Sequence, residues 1–242
     1  MKSSLLFSAW PYITVSLLAV GFFVRYLLER KHISAVKEEM AEAWALFGGA
    51  RVWRASVLFL VVAHLILLLL PQAVLAWNGN RGRLYFLEGI AFAAGAAALA
   101  GWTRILWRHL GRTNRSAITE LADTILLALL LVGIFSGVLM AVFYRWSSSW
   151  GALILTPYIA SLVRLNPVAG LAAQMPFLVR LHVFSAFTAL AVLPLTRLAA
   201  FFVFALHGIF GVLGRPISAA GRATEAWLRK HNPAAWLWPE ED

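Results

Sequence analysis

Val52-Trp53-Arg54-Ala55-Ser56-Val57-Leu58-Phe59-Leu60-Val61-Val62-Ala63-His64-Leu65-Ile66-Leu67-Leu68-Leu69-Leu70 holds nineteen residues with one arginine near its start and one histidine past its middle. As a helix, a run of this length and apolarity crosses about 30 Å of hydrocarbon. A second run opens at Pro176-Phe177-Leu178-Val179-Arg180-Leu181-His182-Val183 and also carries a histidine. A titratable ring inside a bilayer is costly, so it normally has a partner or a task.

Outward from these two runs the chain reads as five apolar spans: Leu5–Leu28, Val52–Ala76, Leu84–Trp107, Ile118–Phe143 and Pro176–Val203. The expected fold class is therefore all-α, an integral membrane bundle of five transmembrane helices spanning residues 1–214, followed by a basic and aromatic tail over 215–242. Composition agrees: 61% of the 242 residues are hydrophobic and 13% are charged, with a mean hydropathy of +0.77. Soluble domains rarely exceed about half apolar. Eleven Trp and sixteen Phe suit aromatic belts at the two interfaces. The first span is longer than the core of a signal peptide and reads as a retained helix.

Lys and Arg set the orientation. With the N-terminus outside, fifteen of them fall on the inner side, among them Arg25, Arg30, Arg51, Arg54, Arg108 and Arg197. Six fall outside: Lys2, Arg81, Arg83, Arg145, Arg164 and Arg180. This positive-inside bias predicts an N-terminus outside and a C-terminus in the cytoplasm. The net charge of +10 thus reflects topology, and no nucleic-acid partner is expected. The polar segment Glu29–Ala50 is expected to lie along the cytoplasmic face. The segment Trp150–Arg164, interrupted by Pro157, is expected to form a helix at the outer interface, roofing a site that opens sideways to lipid. Small residues in Ile90–Gly101, and the pair Gly133 and Gly137, point to close helix packing, with room beside a bulky cofactor as the other reading. Ser116 is a candidate cap for the fourth helix, with Glu120 and Asp123 complementing its dipole and Asp123 offering an anchor for an arginine.

There is no cysteine, so iron–sulfur clusters, thiolate metal sites and covalently attached haem are excluded. Of six histidines, His32, His109 and His231 lie in polar basic stretches where solvation is the default, and His207 lies near the inner end of its helix. His64 and His182 differ. Their helices run antiparallel, which brings the two rings to overlapping depths in the outer half of the membrane. From pattern alone two readings stay open: the rings clamp a b-type haem iron from both sides, or they bond to backbone or line a proton path.

Several motifs then resemble a known family. Arg25-Tyr26, Ala122-Asp123-Thr124-Ile125-Leu126, Pro157-Tyr158-Ile159-Ala160-Ser161-Leu162, Phe177 through His182, and Leu193-Pro194-Leu195-Thr196-Arg197-Leu198 are similar to the gamma subunit of respiratory nitrate reductase, over roughly Trp10 to Arg215. That family is a five-helix cytochrome b with two haems held by four histidines, passing electrons from quinol to a cytoplasmic iron–sulfur and molybdenum assembly. The resemblance implies that His64 and His182 are the axial ligands of the outer haem. It sets the inner pair on Arg54 and Ala200, neither of which ligates iron. Ala200 lies eighteen residues beyond His182, five turns of an unbroken helix. One haem b is therefore expected, with quinone as exchangeable substrate. The resemblance also offers Arg83 (or Arg81) and Tyr158, with His64 itself, as quinone contacts. Arg180 or Arg164 would meet a haem propionate or lipid headgroups, and Arg54 would pair with lipid phosphate. Missing inner ligands favour a redox partner on the periplasmic side. The alternatives are a relay to a cytoplasmic iron–sulfur subunit through a substitute inner cofactor, and a haem-free membrane anchor.

Overall fold

Helices account for nearly all of the described residues in the computed structural model, which covers residues 2–48, 51–111, 118–144, 146–210, 212 and 227. Five of them are long and apolar enough to cross a membrane, within α1 (Lys2–Glu29), α3 (Arg51–Leu69), α5 (Arg81–Leu110), α6 (Ile118–Phe143) and α10 (Phe177–Val192 with the following 3-10 turn Leu193–Leu195). Shorter helices fill the connections: α2 (Ile33–Phe47), α4 (Pro71–Asn78), α7 (Ser147–Trp150), a π turn over Gly151–Leu155, α8 (Thr156–Val163) and α9 (Ala169–Ala173). An apolar helix α11, Ala199–Phe210, follows the break after α10. The expected cap Ser116 and the tail from 215, Trp227 apart, lie outside the described residues.

The long helices turn large apolar side chains outward; Leu28, Phe23 and Leu69 are 70%, 62% and 73% exposed. With their backbones bonded internally, such helices suit a hydrocarbon solvent, where outward apolar residues cost nothing. The fivefold span expectation is met. Two boundaries differ, and proline explains both. Pro71 has no N–H to continue the ladder, so α3 stops at Leu69 and the chain restarts as α4. Pro194 similarly ends α10, and Thr196 is extended at φ −101°, ψ 163°.

α6 occupies the middle of the bundle, packed against α10 on one side and α5 on the other, while α1 lies on α10 and α3 on α5. Small residues permit this. A Cβ on Gly95 would come within 3.1 Å of Val138, and one on Gly101 within 2.9 Å of the Trp53 Cβ. Close packing is thus the role of the Ala/Gly-rich third span. The neighbour order α1–α10–α6–α5–α3 is an open arc, because α3 does not pack along α1 or α10. At one end of this gap the π turn, α8 and α9 bridge α3 to α1; at the other lies α2.

Proline also explains how the roof is attached. Pro11 within α1 and Pro71 after α3 each leave the carbonyl four residues earlier without its helical donor. Those carbonyls are Phe7 O and Leu67 O. The Tyr158 hydroxyl donates to Phe7 O at 2.7 Å, and the Thr156 hydroxyl donates to Leu67 O at 3.1 Å. Two side chains of α8 therefore fill the two vacancies. Around them Phe7, Tyr158, Leu162, Met175, Val179 and Val183 form one apolar cluster.

The α2 end is held by charge. Arg197 pairs with Asp123 at 3.2 Å and Glu42 at 3.1 Å, while its backbone N–H donates to Asp123 Oδ1 at 3.0 Å. Arg25 bonds Glu29 at 2.8 Å, Glu39, and the Pro194 and Thr196 carbonyls at the helix break. Asp123 is fully buried, and of its two expected roles the arginine anchor is the one observed.

Candidate functional site

His64 and His182 face each other across the gap between α3 and α10. Their ring centres are 5.9 Å apart and the planes are inclined by 15°. Each ring is oriented through the same nitrogen. His64 Nδ1 lies 2.6 Å from Leu60 O, one turn back on α3, and His182 Nδ1 lies 2.8 Å from Gly133 O on α6. A carbonyl only accepts, so Nδ1 carries the proton in both rings, and Nε2 keeps a lone pair available for a metal. The second-neighbour carbonyl of metal-binding histidines has this orienting function.

Gly133 and Gly137 do more than bring α6 and α10 together. Gly133 supplies the acceptor for His182, and Ser136 Oγ, which donates to the same carbonyl at 2.9 Å, sits 3.4 Å from His182 Nδ1. A Cβ on Gly137 would meet His182 Cε1 at 3.3 Å, tighter than usual, so glycine leaves room for the ring edge. Their spacing in the sequence indicates close approach; which ring lies opposite is visible only in the packed helices.

The other expected site residues are dispersed. Tyr158 is fully buried and its hydroxyl is committed to Phe7 O. Burial, reinforced by the nearby Tyr12, pushes its pKa up to about 12, so it stays a neutral donor. Arg83 is exposed at the α4–α5 corner, with its guanidinium 5.3 Å from the Trp77 ring and Nη2 donating to Ala76 O at 3.4 Å. Arg81 and Arg164 are exposed at the same end. Arg180 leaves α10 about 200° around from His182, and its buried Nε has no hydrogen-bond partner among the described residues. His109 corrects the expectation of a solvated side chain: it is 2% exposed, with Nε2 2.8 Å from the Thr124 hydroxyl, because α5 packs on α6 there.

At the opposite end, Arg54 Nη1 donates to Gly48 O at 2.8 Å and the guanidinium lies 5.6 Å from the Trp44 ring centre. Ala200 is fully buried against Val36 of α2 and Val203 of its own helix. The five-turn register from His182 to Ala200 does not hold, because the chain between them leaves the helix at Thr196.

The sequence over residues 3–212 matches the family described as nitrate reductase gamma subunit. The chain belongs to that family. It is 26% identical over 202 residues to the nitrate reductase gamma chain of Bacillus subtilis, covering 82% of this chain and 90% of that one. It is also 23% identical over 246 aligned positions to the nitrate reductase-like protein NarX of Mycobacterium tuberculosis, where 98% of this chain matches 36% of the longer relative. As a member of the family the chain is a multi-pass inner-membrane protein, and its five spanning helices agree with an electron-transfer role.

The donor set fits a haem. An iron held between the two Nε2 atoms would, with metal–nitrogen bonds of about 2 Å and about 1 Å from each Nε2 to its ring centre, set the ring centres about 6 Å apart. The observed 5.9 Å is close to this spacing. His64 is exposed at the gap between α3 and α10.

Proposed function

We propose that this protein is the membrane b-type cytochrome subunit of an oxidoreductase complex, holding one haem b between His64 and His182 and exchanging electrons between quinone or quinol and a redox partner. The observation that carries this reading is the matched pair of rings, 5.9 Å apart, each bonded through Nδ1 to a backbone carbonyl. A bound haem would supply one-electron chemistry, its iron alternating between ferric and ferrous. The chain's own residues do the rest. Leu60 O and Gly133 O fix both tautomers, and the α8 roof keeps water from the outer end.

Quinone access follows from the open side of the bundle, where the exposed His64 borders lipid and Arg83 stands at the nearby α4–α5 corner. Tyr158, with its hydroxyl engaged, serves this site as part of the roof. The Lys/Arg bias supports an N-terminus outside and a haem in the outer half of the bilayer. With arginine and alanine at the inner positions, electron exchange on the periplasmic side is the simplest arrangement, since tunnelling across the remaining hydrocarbon is slow.

A reduced-minus-oxidised spectrum with haem quantification tests the reading. One b-type haem per chain is expected, lost in His182→Ala. A His182→Ala protein with an unchanged spectrum overturns the assignment. A wild type without a Soret band leaves a membrane anchor, and two haems per chain restore the transmembrane relay.

A further inference from the structure

The gap between α3 and α11 contains a cleft of about 350 Å³ at the α2 end. Its walls are Phe47 of α2, Val57, Leu58 and Val61 of α3, Leu198 in the turn before α11, and Phe201 of α11. Arg54, Gly48 and Trp44 also line it, and they supply its polar groups. Leu58 and Val61 are 65% and 50% exposed on the outward side of a spanning helix, so the cleft opens to hydrocarbon. An apolar cavity has no partners for water and fills with an apolar guest.

The distribution of charge narrows that guest. A quinone head needs donors at two opposed oxygens, whereas this cleft has its cation at one end. Arg54 is permanently charged, and its planar fork suits phosphate; Arg51 is exposed one turn earlier on the same helix. Trp44, 58% exposed, stacks on Arg54 as expected for an aromatic residue at headgroup level. An amphiphile with one anionic head and an apolar tail satisfies all of these features. We infer that the cleft binds one acyl chain of an anionic phospholipid, with the lipid phosphate at Arg54.

This inference is independent of the histidine pair, and its test reads lipid rather than haem. Full-length protein is reconstituted with equal phosphatidylglycerol and phosphatidylcholine, then stripped with detergent, and retained lipid is counted by native mass spectrometry. About one tightly held phosphatidylglycerol per chain is expected, preferred about fivefold over phosphatidylcholine, the factor typical of one arginine near a headgroup. Arg54→Gln should bring the preference near unity, and Arg54→Lys should keep most of it. Val57→Trp, which fills the cleft, should release either lipid; Phe201→Trp serves as a second filling variant if the first does not fold. Visible spectra of all variants should match wild type. Equal retention of both lipids by wild type, retention unchanged in both filling variants, or release of a quinone in place of phospholipid each overturns the proposal.

Discussion

The two ends of the bundle are stabilised by different chemistry. At the α8 end the polar contacts of the roof and the histidines join neutral groups: Tyr158 and Thr156 bond to carbonyls stranded by Pro11 and Pro71, and two histidines bond to Leu60 and Gly133. The one carboxylate there, Glu88, accepts from the hydroxyls of Ser147 and Ser148 rather than from a cation among the described residues. At the α2 end they are ionic: Arg25 and Arg197 tie Glu29, Glu39, Glu42 and Asp123 across α1, α2, α6 and the break after α10. The α8 end brings two imidazole rings to 5.9 Å between centres, each bonded through Nδ1 to a backbone carbonyl. The ionic end instead holds Arg54 on Gly48 and buries Ala200. The proposed ligand site and a structural clasp therefore sit at opposite ends of one set of helices.

The largest effect expected is at the neutral end. His64→Ala and His182→Ala should each remove all b-type absorbance while leaving a folded membrane protein, as judged by a monodisperse elution profile. At the ionic end, Asp123→Asn leaves Arg197 beside a neutral amide at a fully buried position. Breaking a buried pair costs about 3–5 kcal/mol, with Glu42 retaining part of the interaction, so thermal unfolding in detergent should drop by many degrees. A melting temperature within a degree of wild type would show that the clasp is incidental.

Tyr158→Phe should cost about 1–3 kcal/mol, because Phe7 O loses the donor that replaces the missing proline N–H. Its pH dependence has a definite sign. The folded pKa, about 12, lies above the reference value of 10.0, so folding favours the protonated phenol. That contribution is complete below pH 10 and disappears as pH rises from 10 toward 12. Wild type should therefore lose stability in that window more steeply than the Phe variant; parallel curves would remove Tyr158 from the account.

Gly137→Ala should act more gently, because its Cβ would press on His182 Cε1 from 3.3 Å. A partial fall in haem content and an altered electron paramagnetic resonance signal are expected, where an unchanged signal would mean that the ring has slack. The smallest effect is a null one. Arg54→His combined with Ala200→His should not create a second haem site, since position 200 faces Val36 beyond a broken helix. A doubled haem content by pyridine haemochrome assay would restore the straight-helix register and make the two ends alike.

Much of this was legible in the residues. Five spans, the antiparallel placement of His64 and His182 and their meeting at one end follow from hydropathy and chain direction. Turn counting failed only where it assumed an unbroken α10. Pro194 was in plain view, but whether a proline kinks or ends a membrane helix depends on what satisfies the carbonyls around the break, here Arg25 from α1 at Pro194 O and Thr196 O. His109 failed for a similar reason: its local neighbours are polar and basic, yet Thr124 and α6 cover it. Tyr158 attracted attention through its motif, and its bond partner lies 151 residues away.

The sequence by itself determined the solvent of this protein, the number of crossings and the pair of imidazoles, because each depends on side-chain chemistry and on repeats within one helix. Only the tertiary structure decided what those imidazoles do with their protons, which carbonyls the α8 hydroxyls repair, and why position 200 points away from the gap. A backbone carbonyl carries no residue identity, and its partner is set by whichever helix comes to lie beside it.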